Sequence, residues 1–421
     1  MSIKNLLRDY FYSDFLRHCF IVLNTILFFF ICFISLALDT RSPFNNINII
    51  LVGIFIGITI LYMIQNKRVP RVNTFVICII GLLTCMIVSY AVNGFKSFPR
   101  PPVLVTVFSL FVFLWLDNNR EHLKFYLLAF LLASWCFFLL FTIIGRSYIL
   151  HPNFSVRLGR DLGNENDVAR HLVFVFLINL YFCYVFKPIA LKISLGLICL
   201  VTVYYVFLTG SMSNIILVLI SLFVFTFLTA SKKTGIIVVV LTLFSIGAVI
   251  GLIFLIPAFE PIKIRVLGIF TSLFNSGDNR PDASTLGRLQ AAVYGFRLFL
   301  ENPLFGGGFN FVVNNYMIMA HNNVAEIGAD YGVFAVLFEE IIILYPLIKD
   351  DNSSDDEKIL TGMFGLYILL IQLFLVVFNS KVEAILLPLL FAVTNDKESF
   401  CKYNLFSKIK AKRLEREQES A

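Results

Sequence analysis

Apolar runs, each long enough to cross a bilayer, recur along almost the whole of this chain. A hydrocarbon core of about 30 Å takes about 20 apolar residues in helical form. Such runs fall near residues 18–38, 47–64, 74–93, 103–117, 125–144, 170–186, 193–209, 214–230, 236–257, 324–348, 359–378 and 383–395. Lipid offers no hydrogen-bond partner to a spanning backbone, so each run is expected to be a helix. Of the 421 residues, 58% are apolar and only 14% charged, whereas a soluble domain carries about 25% charged residues. The expected fold is an all-α polytopic membrane protein of about 12 transmembrane helices. The first apolar run is too long for a cleavable signal, lacks a small-residue cleavage site and is followed by further spans.

Lys and Arg in short loops set the orientation. With the N-terminus cytoplasmic, the five short inner loops hold Lys67, Arg68, Arg71, Arg120, Lys124, Lys187, Lys192, Lys232, Lys233, Lys349 and Lys358. The four short outer loops hold only Arg41, Lys96, Arg100 and Lys381. The chain thus divides into nine spans over 1–257, a large outer loop at 258–322, three spans over 323–395 and a basic inner tail at 396–421, with both termini cytoplasmic. The net charge of +7 follows from this sidedness. The basic tail reads as a membrane-surface segment, and no nucleic-acid partner is expected. All eight cysteines lie in spans or in the tail, which gives neither a disulfide framework nor a Cys/His metal site.

Two outer segments are longer than a turn requires, 145–169 and 258–322, and long loops in compact proteins tend to carry function. In the second, Leu289, Ala292, Val293, Phe296, Phe299 and Leu300 recur at helical spacing from Thr285 onward. Ser284 or Thr285 can cap that helix and Pro303 can end it. The pattern fits either an amphipathic helix at the membrane surface or one packed on the bundle. Arg and Lys number 17 each, yet the outer side carries ten Arg against three Lys. The planar guanidinium matches phosphate oxygens two at a time, which an ammonium does not. Arg157, Arg160, Arg170 and Arg288 are therefore candidate phosphate ligands. Arg297, nine residues after Arg288, falls on the opposite face of the same helix.

His321, where the loop re-enters the membrane, can take a proton from a hydroxyl near neutral pH. Glu326 lies one turn away and can orient the imidazole. Asn322 and the turn Gly306-Gly307-Gly308 flank it. That turn is no P-loop, because no Gly-Lys-Ser/Thr follows. Asp161, Glu165 and Asp167 fit no standard cation loop, and no metal site is expected. Glu339 and Glu340 fall inside a span, where charge is costly and often functional.

Several runs resemble those of the bacterial O-antigen polymerase and O-antigen ligase superfamily. They are Arg288, the turn Asn302-Pro303-Leu304-Phe305-Gly306-Gly307-Gly308, His321-Asn322 and Glu326-Ile327-Gly328, in that order. Gly163-Asn164-Glu165-Asn166-Asp167-Val168-Ala169 is similar to the family's entry to the following span, and LTGSMSN at 208–214 to its TGSR turn, with Met212 where the family usually has Arg. The resemblance implies a GT-C-like enzyme of the bacterial inner membrane. It would be a metal-independent, inverting glycosyltransferase without a cofactor, working at the periplasmic face on undecaprenyl-pyrophosphate-linked oligosaccharide. A polymerase joining repeat units is the first expectation, a ligase moving glycan onto lipid A–core the alternative and a lipid-linked glycan flippase the third. The catalytic group would be His321, Arg288 and Glu326. Arg157, Arg160, Arg170, Asn166, Asn322, Gly306 and Gly308 would hold substrate. The partners would be the bilayer, a chain-length regulator and a flippase.

Overall fold

The computed structural model describes residues 3–37, 44–67, 72–150, 158, 164–230, 283–348, 354–376, 378 and 380–394, with isolated positions between 240 and 267. Over these residues the chain is helical. Nine helices fill the first half: α1 (Ile3–Ala37), α2 (Phe44–Gln65), α3 (Thr74–Val92), α4 (Arg100–Asn118), α5 (Leu123–Ile144), the short α6 (Arg146–Leu150), α7 (Glu165–Val185), α8 (Ile189–Thr209) and α9 (Met212–Thr229). Six more follow: α10 (Ala283–Glu301), α11 (Phe311–Tyr316), α12 (Asn323–Tyr331), α13 (Val333–Ile348), α14 (Asp355–Ile371) and α15 (Glu383–Thr394).

Eight segments are long and apolar enough to cross a membrane, and they coincide with the first eight expected spans: Leu16–Ala37, Asn46–Gln65, Thr74–Val92, Arg100–Asn118, Arg120–Ile144, Glu165–Val185, Ile189–Thr209 and Met212–Thr229. The expected span at 236–257 lies mostly outside the described residues, as do most of 258–282 and all of the 396–421 tail. The remaining three differ from simple spans. The expected helix 324–348 is cut in two at Gly332, whose φ of +85° turns the chain between α12 and α13. A side chain there would meet the Leu304 carbonyl oxygen at 2.2 Å. The last two, α14 and α15, are shorter than a full span.

The helices pack by shape and by buried polar pairs. In α7, 83% of the spanning window is buried, against 28–50% in the other seven spans. It is therefore the central helix, packed on α5, α8, α9 and α14, and polar groups near its start are shielded from lipid. Its N-cap Asn164 accepts a hydrogen bond from the Asn166 amide, and Glu165 and Asp167 oppose the positive end of its dipole. On the inner half, Tyr62 donates to Asn119 at 2.7 Å beside fully buried Trp115. Gly81 on α3 leaves room for the Phe338 ring of α13, which would lie 2.6 Å from a Cβ at that position. Outward-facing Ile, Leu, Val and Phe side chains, such as Ile64, Leu139, Ile143 and Leu200, present the apolar surface that a bilayer requires.

Candidate active site

A cavity of about 400 Å³ opens where α1, α7, the 310–330 region and the connection before α15 converge. From α7 and its cap it takes Asn164, Asp167, Arg170 and His171; from the returning loop, Asn310, Met319, His321, Glu326 and Asp330; from the last connection, Phe378, Ser380 and Lys381. Ser35 at the end of α1 closes one side. Cationic and acidic groups thus share one enclosed space, although Arg170 and Lys381 are more than two hundred residues apart in sequence.

His321 sits half-buried with its backbone in the left-handed region, at φ +52°. A non-glycine residue held there costs of order 1–3 kcal/mol and persists only where its surroundings fix it. The fixing groups are adjacent. Glu326 accepts the Ala320 amide at 2.6 Å. Asn322 caps α12 by accepting the Ala325 amide at 2.9 Å, and its Nδ2 donates to the Leu373 carbonyl at 3.4 Å. Burial, and then the positive charge of Arg288, hold the imidazole below the ordinary histidine range. At neutral pH His321 is therefore the free base, which a proton acceptor must be. Glu326 acts on this histidine through the main chain; its carboxylate is engaged by the Ala320 amide, and the expected carboxylate–imidazole contact is replaced by that one.

Arg170 is 9% exposed. Its guanidinium lies 3.4 Å from Asp167 on the same helix and 3.6 Å from Glu383 at the start of α15. Held between two carboxylates, it presents a fixed cation to the cavity wall. Arg288 is half-buried on α10 and makes its electrostatic contact with His321. Arg297 projects outward and pairs with Glu301 at 3.1 Å, in keeping with its place on the other face. Arg157 and Arg160 lie outside the described residues.

Three expected substrate ligands turn out to be committed elsewhere. The amides of Gly306, Gly307 and Gly308 donate to the carbonyls of Asn302, Ala329 and Asp330 at 3.0, 2.8 and 3.1 Å. With φ of +66° and +95°, Gly306 and Gly308 form a latch that ties the Asn302-Pro303 turn to the end of α12. A Cβ at Gly306 would come within 2.3 Å of the Asp330 backbone. The Val333 amide completes the latch by donating to the Pro303 carbonyl at 2.8 Å. Asn322 is spent as a helix cap, as described above. Asn166 lies beside the cavity, where its Oδ1 accepts from Ser211 at 3.0 Å and its carbonyl from Asn214 at 3.3 Å. That contact docks the α7 entry on the turn before Met212, so the two motifs far apart in sequence form one joint.

Asp330, Lys381 and Glu383 were not singled out from sequence. Asp330 accepts the Asn310 and Phe311 amides at 3.0 and 2.9 Å, which starts α11. Lys381 stands in a connection that read as an ordinary outer turn. Their one signal was a charge beside an apolar run, too common to single out. Residues 196–338 match a family model described as O-antigen ligase. No curated protein matches the chain in a sequence search.

Proposed function

We propose that this chain, which residues 196–338 place in the O-antigen polymerase and ligase superfamily, joins undecaprenyl-pyrophosphate-linked repeat units at the periplasmic face of the bacterial inner membrane. The observation that carries the reading is the shared cavity, where a neutral histidine faces fixed cations. In this scheme the acceptor hydroxyl gives its proton to His321 as its oxygen bonds to the donor's anomeric carbon. The bond from that carbon to the pyrophosphate oxygen breaks, and the lipid pyrophosphate leaves as an anion. Arg170 and Lys381 stabilise the charge that develops on it, with Arg288 at the rim. A single displacement inverts the anomeric centre and needs no metal ion to bind the phosphates.

The run Ala320–Gly332, AHNNVAEIGADYG, supports the polymerase among the family's activities. The matched model's description favours the ligase, which would use the same donor chemistry with lipid A–core as acceptor. A flippase has no need of a base held among phosphate-binding cations. Purified protein in vesicles, given lipid-linked single repeats, is expected to produce a ladder of chain lengths, and His321→Ala to produce none while still inserting in the membrane. Transfer to lipid A–core without a ladder would replace the polymerase by the ligase; a ladder from His321→Ala would remove the histidine from the mechanism.

A further inference from the structure

Behind the wall formed by Phe378 and Ser380 lies a second, much smaller cavity of about 30 Å³, sharing those two residues with the first. Its polar lining is Thr106 and Ser109 from α4, Glu339 from α13, Ser380, and Glu383 from α15. The rest is Ile, Leu, Val, Ala and Phe. The space has the volume of one water molecule or one small ion.

Two buried carboxylates border this space. Glu339 is 5% and Glu383 1% exposed. Neither oxygen of Glu383 accepts a hydrogen bond from another residue among the described ones. Its compensation is the Arg170 guanidinium at 3.6 Å, which it shares with Asp167. Glu339 has neither a cation nor a hydrogen-bond donor among the described residues, and its neighbour Glu340 is bound to Gln372 at 3.2 Å. A carboxylate in apolar surroundings needs a neutralising partner. The hydroxyls do not supply one in the form of a donated proton: Thr106 spends its own on the Pro102 carbonyl at 2.7 Å, which leaves its oxygen as an acceptor. What remains is a set of oxygens with one uncompensated negative charge.

We propose that this small cavity binds a single sodium ion, which joins α4, α13 and α15 behind the catalytic cavity. Hard cations take oxygen ligands, and one uncompensated carboxylate calls for one positive charge rather than two. The ion would fix Glu383, and through it the guanidinium of Arg170. This inference stands on the lining residues alone and is independent of the glycosyl-transfer reading.

The test uses the full chain in detergent or nanodiscs, with sodium chloride replacing choline chloride at constant ionic strength. Thermal unfolding of the wild type should shift upward saturably with sodium, less so with potassium, and the protein should retain about one radioactive sodium ion per chain. Glu339→Gln should lose both effects. Should that variant fail to fold, Ser109→Ala, which removes one neutral ligand, should move the sodium midpoint about tenfold higher. An absent sodium shift in the wild type would mean that a proton neutralises Glu339 and would overturn the proposal. An unchanged midpoint in both variants, or potassium acting as well as sodium, would overturn it equally.

Discussion

His321 is held in a strained backbone conformation, stripped of part of its solvation and placed within the field of Arg288. All three features keep the same imidazole in one place and uncharged. A histidine with its pKa lowered becomes the free base at a lower pH than an ordinary one, so the acid limb of the pH–activity profile should lie below pH 6.5. Replacing Arg288 with Met removes one of the two causes. The limb, read from residual activity or from modification of His321 by diethyl pyrocarbonate, should then move up toward 6.5; an unmoved limb would mean that the two residues do not interact. Glu326 separates two roles in the same way. As the acceptor of the Ala320 amide it can be replaced by Gln, whose amide oxygen still accepts. Glu326→Gln should therefore keep most of the activity and Glu326→Ala little, whereas a proton-transfer role would make the two equally inactive. Sequence alone made His321 and Glu326 visible, because a titratable pair at a membrane boundary is unusual. Lys381 and Glu383 were hidden, because nothing in a short turn shows what a helix two hundred residues earlier will place beside it.

Among the elements, the glycine turn is the clearest case of a motif whose position was legible and whose task was not. Three consecutive glycines near a candidate base suggest a phosphate cradle, but a cradle needs free amides, and these are used up by the end of α12. Gly306 is needed because of its positive φ and because the Asp330 backbone lies where a Cβ would be. Gly306→Ala should lower stability by about 1–3 kcal/mol from the backbone term alone, visible as an earlier thermal transition in detergent. Unchanged thermal stability with lost activity would instead return the turn to the substrate site. The spans were readable from hydropathy because lipid dictates length and composition together. The break at Gly332 was not, since an apolar run looks the same whether it crosses straight or turns. The turn there is imposed by a distant segment, the Leu304 carbonyl pressed against it.

For the molecule as a whole, sidedness is the property on which the rest depends. Met317 is 88% exposed, four residues before His321. On a cysteine-free background, Met317→Cys should react with a membrane-impermeant maleimide added from the periplasmic side; protection there with labelling only after the inner membrane is opened would invert the topology. The cavity is also spread across nearly the whole chain, from Ser35 to Val382. The family-matched stretch contains His321, Glu326 and Asp330, while Arg170, His171 and Lys381 lie on either side of it. A ribosome adds about 5–20 residues per second and delivers the N-terminal parts first. The histidine thus enters the membrane before the lysine, and the site stays without its last cation until the final helix follows. During synthesis the nascent enzyme is inert toward the lipid-linked sugars around it, and a chain cut short before residue 375 would sit in the membrane folded in part but without a working site.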